Sequence, residues 1–538
     1  MDVVIIGGVA AGASCAARAR RLNEEARITV FERGPYVSFA NCGLPYHVGD
    51  VIPDEQDLLL VTPQVFQERF DIQVHVRHEV RAIDRVRRVV TVADLVTGQV
   101  REQRYDALVL ATGARALRPP VPGLDLPGVF TLRTVPETRD VKSWIQHHRA
   151  RQAVVVGAGF VGLEVAENLV RKGLSVTVVE KAPGVLSNLD PEMAAHVQDH
   201  LLNNGVRLAL GQALLRVEQG EHRLVVHTDQ AALPADLVIL GLGVRPRAEL
   251  ARGAGLELGP HGGVAVGADL RTSDPHIWAV GDVTQGTCSV TGAPMYAPLA
   301  GPANRMGRLA GDAIAGRPVH FRGVQRTAVC GLFGMTVAST GLNAHTLRSA
   351  GQDFIEVWLH PKDHVGYYPG ATTMHLKLLV DPSDGRLLGA QAVGEEGVDK
   401  RMDVLSMALQ MRATVFDLEE AELCYAPQFG AAKDPVNIAG MIAANRLRGD
   451  LPAGDWSNVP DDATLVDVRE DDEYADEHVP GALSVPLSEL RERLDELPRD
   501  RTLWLYCRSG KRSYDAARAL SQRGFDVRTI QGGLMSRG

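Results

Sequence analysis

Two cysteines stand in sequence contexts that could support thiol chemistry, and Cys42 is the first of them. It lies in the segment SFANCGLPY, residues 38–46, in a short polar turn between Asn41 and Gly43. A free cysteine is more often a small buried apolar residue than a nucleophile. The assignment of a redox role to Cys42 therefore depends on whether the rest of the chain supplies electrons or sulfur.

Cys507 is the second candidate, and it ends a predicted strand, TLWLYC, that leads into the loop CRSGKRS. Backbone N–H groups at a helix N-terminus and nearby basic side chains stabilise negative charge and lower the pKa of a thiol. This loop is therefore suited to a persulfide or to a bound anion. A binding loop without catalysis is the alternative. The basic residues predicted to contact the substrate here are Arg508, Lys511 and Arg512.

The bulk composition limits the classes of function. A chain of 538 residues exceeds one hydrophobic core, and about three to four domains are expected for this length. The apolar and charged contents, 45% and 23%, are ordinary for a globular protein. A net charge of −9 disfavours a general role on nucleic acid or on a membrane surface.

Cysteine usage and the first residues indicate a cytoplasmic protein. The six cysteines form no CxxC pair and no zinc-like spacing, so we expect neither a disulfide framework nor a metal site. The opening MDVVIIGG lacks the basic start of a signal peptide. No apolar run reaches the length of about 18 residues that a membrane span requires.

The chain opens with a unit typical of dinucleotide binding. The buried strand DVVII, residues 2–6, leads into GGVAAG and a helix to about Leu22, and a second strand ends at Glu32. The glycines allow a pyrophosphate to approach the helix N-terminus, and the acid accepts a hydrogen bond from a ribose hydroxyl. Val9 occupies the place of the usual middle glycine. The residues predicted to bind this nucleotide are Gly7, Gly8, Ala11, Gly12, Glu32 and Arg33.

A second unit of the same kind matches the glycine pattern in full. The strand AVVVG leads into GAGFVG, with Gly157, Gly159 and Gly162, and the strand SVTVVE ends at Glu180. Two units imply two nucleotides, and a flavin with a nicotinamide is the obvious pair. Glu180 favours the free 2′-hydroxyl of NADH, whereas Lys181 could serve the phosphate of NADPH, so the choice stays open.

Two further strand ends, ALVLATGA (107–114) and HIWAVGD (276–282), complete a pattern that resembles the pyridine nucleotide–disulfide oxidoreductase flavoproteins. The resemblance implies that a nicotinamide-binding insert divides the FAD-binding domain, and that Asp282 holds the flavin ribitol. The other flavin contacts that it implies are Thr112, Gly113, Gly281 and Pro298.

The last part of the chain resembles a rhodanese domain. The motifs that carry this resemblance are VDVRE (466–470), HVPGA (478–482), CRSGKRS and QGG. We expect an amphipathic helix from Leu487. The chain stops soon after Gly533, so we expect the last helix of such a domain to be missing.

The predicted fold class is α/β, with two Rossmann-like domains, an α+β dimerisation domain and a rhodanese-like domain. The predicted boundaries are 1–148 with 248–320 for FAD, 149–247 for NAD(P)H, 321–448 for dimerisation, 449–460 for a linker, and 461–538 for the rhodanese-like domain.

The single cysteine beside the flavin narrows the chemistry. Disulfide reductases of this family use a CxxxxC pair, whereas one thiol must cycle through a mixed disulfide, a persulfide or a sulfenic acid. In the peroxidase and oxidase branch a histidine follows the first glycine motif, and here that position is Ala10 or Ala11. The segments SFANCGLPY, GYYPGA and YAPQF with AKDPVN instead resemble coenzyme A–disulfide reductases. With the rhodanese segment, they resemble fused coenzyme A–disulfide and persulfide reductases.

This resemblance implies site residues as well as an activity. Cys42 would be the redox nucleophile, Tyr367 and Tyr425 would reach in from the other subunit of a homodimer, and Cys507 would load or relay sulfane sulfur. Phe429 stands where the family has a second tyrosine, and Asn304 where it has a histidine. The implied coenzyme A contacts are Ser14, Arg18, Arg21, Ser38, Asn41, Asn304, Arg305 and Lys433. Arg18 and Arg21 lie about one helical turn apart and could both meet phosphates.

The sequence therefore predicts an FAD-dependent NAD(P)H oxidoreductase that reduces coenzyme A disulfides, persulfides or polysulfides. Its predicted partners are these small molecules and a second copy of the chain, with no nucleic acid and no membrane. Two alternatives stay open: an NADH oxidase that forms a Cys42 sulfenate, and a non-catalytic redox-sensing binding protein.

Overall fold

A computed structural model describes residues 1–537 and divides the chain into two compact units. The first unit combines Met1–Val185 with Leu202–Arg326. The second combines Leu186–Leu201 with the chain from Thr327 onward. None of the helices in residues 1–537 has the length and apolar character needed to cross a lipid bilayer.

The first unit contains a five-stranded parallel sheet that begins with the first residues of the chain. Its strands are short and β-branched because both faces are covered. In spatial order they are Ile277–Ala279, Ala107–Leu110, Asp2–Ile6, Arg27–Glu32 and Ile72–Val76. The helices Ala10–Leu22 and Ala300–Ile314 share a core with this sheet. Their small residues permit the two helices to pack closely against each other. The antiparallel strands that follow are His78–Asp84, Val89–Asp94 and Val100–Arg104.

A second five-stranded parallel sheet in this unit carries the second glycine motif. Its strands, in spatial order, are Arg207–Leu210, Ser175–Glu180, Gln152–Val156, Leu237–Leu240 and Val129–Phe130. Helix Phe160–Arg171 packs on it. The predicted boundary at residue 149 is too late, because Val129–Phe130 already pairs with Val238 and Ile239. An antiparallel sheet adds Leu214–Gln219, Leu224–Thr228 and Ala232–Ala235.

Short elements complete the first unit. The remaining helices are Leu44–Val48, Pro63–Phe70, Val135–His147 and Glu249–Gly253, with 3₁₀ turns at Asn41–Gly43, Glu55–Leu58 and Gly281–Val283. The remaining strands are Ala114–Ala116, Val244–Pro246, Val264–Ala265, Thr284–Thr287 and Pro294–Met295.

The second unit begins with an antiparallel sheet, as expected of the predicted dimerisation domain. Its strands, in spatial order, are Ala328–Leu332, Met335–Gly341, Leu387–Gly394, His375–Val380 and Ile355–Leu359. The helices outside the sheet are Pro191–Asn203, Ala344–Ser349, Val398–Gln410, Val415–Glu419 and Pro435–Leu447. Lys377 is buried in the sheet among the carboxylates of Asp190, Glu192 and Glu356.

The end of the chain folds into a parallel sheet that positions Cys507. Its strands, in spatial order, are Ala453–Gly454, Val527–Ile530, Leu503–Tyr506, Thr464–Asp467 and Leu483–Ser484. The helices are Asp471–Asp476 and Lys511–Ser521, with 3₁₀ turns at Trp456–Asn458, Leu494–Glu496 and Gly533–Ser536.

Two predictions for this segment need correction. The predicted linker, 449–460, contributes the edge strand Ala453–Gly454, and Trp456 Nε1 donates a 2.8 Å hydrogen bond to the Gly533 carbonyl. The predicted helix from Leu487 is a series of turns and the 3₁₀ turn Leu494–Glu496. Most of its backbone bonds join residues three apart, as from the Glu492 N–H to the Glu489 carbonyl, which is the tighter 3₁₀ pattern.

Candidate functional site

Cys42 lies in a 3₁₀ turn, Asn41–Gly43, that runs directly into the helix Leu44–Val48. The helix sits on a small apolar cluster in which Leu44, Leu58 and Val135 are buried. Asn41 Nδ2 donates a 3.3 Å hydrogen bond to the Arg133 carbonyl, which connects the turn to the segment before helix Val135–His147. The polar turn predicted from the sequence is therefore a fixed helix start that leaves the Cys42 side chain exposed.

Charged groups from separate segments surround the Cys42 thiol. The surrounding protein atoms raise the pKa of Cys42, and the carboxylates of Glu164 and Asp282 raise it further. Arg133 acts in the opposite direction. The guanidinium of Arg133 is itself paired with Asp282, with 3.2 Å between Nη2 and Oδ2. The redox candidate and the predicted ribitol-binding aspartate therefore belong to one site.

The two strand-end glutamates occupy equivalent positions in the two parallel sheets. Glu32 accepts hydrogen bonds from the N–H groups of Gly8, at 2.9 Å, and Gly34, at 2.7 Å. Glu180 accepts hydrogen bonds from Ala158 and Ala182, both at 2.8 Å. Each carboxylate thus bridges its glycine loop and the turn that follows its own strand, where a ribose is expected.

The helices after the two glycine motifs begin without a side-chain cap. The N-cap residues are Val9 for Ala10–Leu22 and Gly159 for Phe160–Arg171, and neither accepts a hydrogen bond from the first turn through its side chain. In both units the third glycine has no room for a side chain: a Cβ at Gly12 or Gly162 would lie 1.9 or 2.0 Å from the carbonyl oxygen of Gly7 or Gly157. Such helix starts offer N–H groups to a phosphate, so the residues fit FAD and NAD(P)H.

The second flavin motif meets the first one in space. Gly281 has a φ of +74° and packs against Ala11. Thr112 Oγ1 donates a 2.8 Å hydrogen bond to the Arg247 carbonyl, and Gly113 has a φ of +65° beside it. Pro298 lies half-buried just before helix Ala300–Ile314.

An arginine cluster, of which the sequence analysis predicted only Arg33, lies near Glu32. The pKa of Arg247 is lowered by burial and by the positive charges of Arg33 and Arg133, while Glu32 opposes this. Arg33 also pairs with Glu79 at 3.3 Å. Clustered guanidinium groups suit an anionic ligand such as a pyrophosphate. No motif marks Arg133 or Arg247, because each enters the site from a loop after a strand.

The structure changes the interpretation of several predicted coenzyme A contacts. Arg18 is paired with Asp312, at 2.7 Å, and its contact with a phosphate stays a prediction. Ser14 Oγ donates a 2.6 Å hydrogen bond to Asn304 Oδ1, which joins the two helices. Arg21 lies over the Phe70 ring. Three further predicted contacts remain. The Ser38 N–H donates a hydrogen bond to the Gly8 carbonyl, Arg305 lies over the Phe321 ring, and the Lys433 side chain is exposed.

Tyr367 and Tyr425, from two separate loops of the second unit, meet at the surface. Their hydroxyl oxygens are 2.9 Å apart, although the side chains are 75% and 47% exposed. The hydrogen bond between the two hydroxyls raises the pKa of Tyr425. Phe429, 65% exposed, belongs to the same surface. An aromatic surface of this kind is a candidate for contact with another molecule.

Cys507 is buried at the end of strand Leu503–Tyr506, with its sulfur inside the loop that follows. The Gly510 N–H donates to Sγ at 3.2 Å, and the thiol lies 3.7 Å from Ser513 Oγ. Arg512 is engaged by Glu473, with Nη2 2.8 Å from Oε1. Arg508 and Lys511 are exposed at the loop rim. The loop therefore directs one N–H at the sulfur, and one of its three predicted basic residues is paired with a carboxylate, while anion binding by this loop stays a prediction.

Glu164 is the other site residue that sequence reasoning missed. It lies on helix Phe160–Arg171 and accepts a 3.2 Å hydrogen bond from the hydroxyl of Tyr46. Burial raises the pKa of its carboxyl group. Its position just after Gly162 in the second glycine motif is the signal that could have drawn attention to it. Within residues 1–537, no group of three or more His, Cys, Asp or Glu residues is arranged to hold a metal ion.

The chain belongs to the pyridine nucleotide-disulphide oxidoreductase family, whose model matches residues 1–302. The dimerisation domain of that family matches residues 327–434, and the rhodanese-like domain matches residues 453–536.

Individual relatives cover most of the chain. A coenzyme A disulfide reductase of Staphylococcus haemolyticus is 37% identical over 442 residues, which are 82% of this chain and 99% of that protein. The crystal structure of reduced Bacillus anthracis CoADR-RHD has a TM-score of 0.98 at 40% identity and covers 99% of this chain and 97% of that one. A NAD-dependent persulfide reductase from A. fulgidus has a TM-score of 0.94 at 37% identity, with full coverage of both chains, 100% each.

Proposed function

We propose that this protein is a flavin-dependent NAD(P)H reductase of coenzyme A disulfides, persulfides or polysulfides, with Cys42 as its redox thiol. The observation that carries the proposal is the shared surroundings of Cys42 and Asp282, with Arg133 paired to the aspartate. Similarity to a coenzyme A disulfide reductase and to a persulfide reductase, over most of the chain, supports the same conclusion.

The residues that would hold the two cofactors follow from the two sheets. FAD would lie along Gly7–Gly12, Glu32, Gly281 and Asp282, and the nicotinamide nucleotide along Gly157–Gly162 and Glu180. Bound there, FAD would supply the two-electron chemistry that links the nicotinamide to the sulfur on Cys42. The Glu180 carboxylate, held by two backbone N–H groups, favours NADH over NADPH.

Cys42 supplies the nucleophile for a disulfide substrate. Its thiolate attacks one sulfur of the substrate disulfide, the S–S bond breaks, one substrate thiolate leaves, and Cys42 holds the other half as a mixed disulfide. The leaving thiolate takes up a proton, which the hydroxyl pair of Tyr367 and Tyr425 can donate. With a persulfide, the same attack transfers the sulfane sulfur to Cys42 and releases the carrier thiolate.

Cys507 would serve a separate step, the loading or relay of sulfane sulfur. The Gly510 N–H aimed at Sγ stabilises negative charge on a thiolate or on a persulfide. The free Cys42 and Cys507 thiols suit a reducing, cytoplasmic setting.

A homodimer completes the proposed site. The match to the family's dimerisation domain and the exposed Tyr367–Tyr425 pair support a contact in which the tyrosines of one subunit serve the Cys42 of the other.

Anaerobic steady-state kinetics test this proposal. The substrates are coenzyme A disulfide, coenzyme A persulfide, polysulfide and, in a separate aerobic assay, oxygen, each with NADH and NADPH. We expect turnover of the sulfur substrates that falls by at least about a hundredfold in Cys42→Ser. Full persulfide and disulfide turnover in this variant would disprove the proposed function, and fast oxygen turnover alone would favour the oxidase alternative.

A further inference from the structure

Arg401 is a buried cation in helix Val398–Gln410, away from Cys42 in the sequence and absent from every motif discussed above. Only 1% of its surface is exposed, and it is among the largest fully buried side chains of the chain. A buried guanidinium is stable only when its charge is paired and its N–H groups are bonded. Its partners therefore show which parts of the fold it holds together.

The charge of Arg401 is paired with Asp434. Arg401 Nη2 lies 2.9 Å from Asp434 Oδ2, and Nε lies 3.2 Å from the same oxygen. Asp434 also caps the helix Pro435–Leu447, where it accepts a 3.0 Å hydrogen bond from the Val436 N–H. The ion pair thus fixes the end of the segment that contains Tyr425.

The same guanidinium also bonds the backbone of both tyrosine loops. Nη2 donates to the carbonyl of Asp363 at 2.8 Å, at the start of the loop that contains Tyr367. It also lies 3.4 Å from the carbonyl of Phe429, at the end of the loop that contains Tyr425. Between these two points the Val365 N–H donates directly to the Gly430 carbonyl at 3.1 Å. Arg401 therefore connects, by hydrogen bonds, the two loops that contain Tyr367 and Tyr425.

The Tyr367 loop has its own brace next to this bridge. The Asp363 carboxylate accepts hydrogen bonds from the Thr372 N–H at 2.6 Å and from His364 Nδ1 at 2.5 Å. His364 Nε2 lies 3.3 Å from the Pro369 carbonyl, and its ring meets Tyr368 edge-on. The two ends of the Tyr367 loop are thus joined at Asp363. The position of the loop therefore depends on the hydrogen bond between Arg401 and the Asp363 carbonyl.

We propose that Arg401 is a positioning residue that holds the Tyr367 and Tyr425 loops in register, so that their hydroxyls act as one proton-donating pair. This inference rests on the proposed function, because it gives these tyrosines a role in disulfide and persulfide reduction. An arginine is needed because its planar fork bonds one carboxylate and three carbonyls at once, those of Asp363, Phe429 and Gly397, whereas a lysine presents a single point charge.

A double-mutant cycle in the flavin-loaded dimer tests this proposal. Arg401→Lys keeps a positive charge for Asp434 but loses the fork. We expect it to slow the reoxidation of reduced enzyme by coenzyme A disulfide about tenfold, with the rate of flavin reduction by NADH unchanged. In the background of Tyr367→Phe with Tyr425→Phe, the same substitution should have no further effect on reoxidation, because the groups that it positions are gone.

A spectroscopic titration gives a second readout that does not depend on turnover. The 295 nm absorbance change that Tyr425→Phe removes reports the ionisation of Tyr425, whose pKa is raised by its bond to Tyr367. We expect this pKa to fall toward the ordinary tyrosine range in Arg401→Lys and in Asp434→Asn. Arg469→Lys is the matched control, since Arg469 is also a buried arginine, paired with Asp467 in the rhodanese-like domain. It should change neither measurement.

The possible results separate this inference from the proposed function. If the double tyrosine variant reoxidises as fast as wild type, the role of the tyrosines in the proposed function fails. If that variant is slow but Arg401→Lys is not, or if the two effects add, Arg401 does not act through the tyrosines. If Arg401→Lys does not fold, Asp434→Asn is carried through the same cycle, and additive effects there contradict the proposal.

Discussion

Gly281 lies directly against Ala11, so the two flavin motifs touch although they come from opposite ends of the first unit. A Cβ added to Gly281 would stand 2.9 Å from the Ala11 Cβ, and the φ of Gly281 is +74°. The Gly281 N–H points at Met306 Sδ, at 3.4 Å. There is no space for a side chain at Gly281, and its backbone has a conformation that L-residues rarely adopt.

Gly281→Ala should therefore destabilise the flavin site in two ways, through backbone strain and through the contact with Ala11. We expect a loss of roughly 1–3 kcal/mol in the free energy of unfolding and weaker retention of FAD. Flavin absorbance after gel filtration and denaturant unfolding measure the two effects. Gly205→Ala is the control, because Gly205 has a φ of +81° with no atom within 4 Å of its Cβ position. Equal losses in both variants would show that the contact with Ala11 does not matter.

Local sequence pattern was enough to predict the two nucleotide units. The strands Asp2–Ile6, Arg27–Glu32 and Ser175–Glu180 have the predicted bounds, because buried parallel strands are continuous β-branched runs. The glycine spacing also predicted the loops that lead into helices Ala10–Leu22 and Phe160–Arg171. These signals are local, and they do not depend on which distant segments pack beside them.

The rest of the site could not be predicted, because it is assembled by long-range contacts. Arg133 and Glu164 reach Cys42 from separate elements. Nothing in the sequence around Arg133 marks it as a site residue, and the glycine motif before Glu164 does not show that its carboxylate faces Cys42. Arg18 pairs with Asp312, which comes from a helix distant in the sequence, and its helical spacing gave no sign of this partner. Val129–Phe130 is too short to show a pattern, and it becomes a strand only by pairing with Val238 and Ile239.

The choice of nicotinamide can be changed at Glu180. Glu180→Ala removes the carboxylate that Ala158 and Ala182 hold in place, together with its repulsion of a 2′-phosphate. We expect kcat/KM for NADH to fall about tenfold and kcat/KM for NADPH to be unchanged or higher. Lys181→Ala is the companion variant and should lower NADPH use only. A wild-type preference for NADPH would contradict the role given to Glu180.

The pH dependence of Cys42 reactivity should report the charge of Glu164. A raised pKa means that Cys42 is a neutral thiol below that pKa and a reactive thiolate above it, and the Glu164 carboxylate opposes the thiolate. Glu164→Gln should therefore move the pH profile of Cys42 alkylation by iodoacetamide to lower pH, by about half a unit to one unit. Glu167→Gln, on the same helix but paired with Arg171, should leave the profile in place. A shift to higher pH in Glu164→Gln would refute this account.

The Glu473–Arg512 pair should make the stability of the rhodanese-like domain depend on acid pH. Arg512 lowers the pKa of Glu473 from 4.5 to about 2. The ion pair therefore contributes stability that is present above pH 4.5 and is lost as the pH falls toward 2. We expect Glu473→Gln to lower the free energy of unfolding at neutral pH by about 1 kcal/mol, followed by Trp504 fluorescence in denaturant. The difference from wild type should shrink on acidification, and a constant difference would rule out this pair as its source.

Subunit complementation can show whether the tyrosines act on the partner's Cys42. In a hybrid dimer, one subunit carries Cys42→Ser and the other carries Tyr367→Phe with Tyr425→Phe. If each tyrosine pair serves the opposite subunit, the site with Cys42 receives intact tyrosines from the Cys42→Ser subunit. Differently tagged subunits allow the hybrid to be purified, and we expect about half of the wild-type disulfide reductase activity from it. Activity no higher than that of the tyrosine variant alone would mean that the tyrosines act within their own subunit, and the exposed hydroxyl pair would then need another partner.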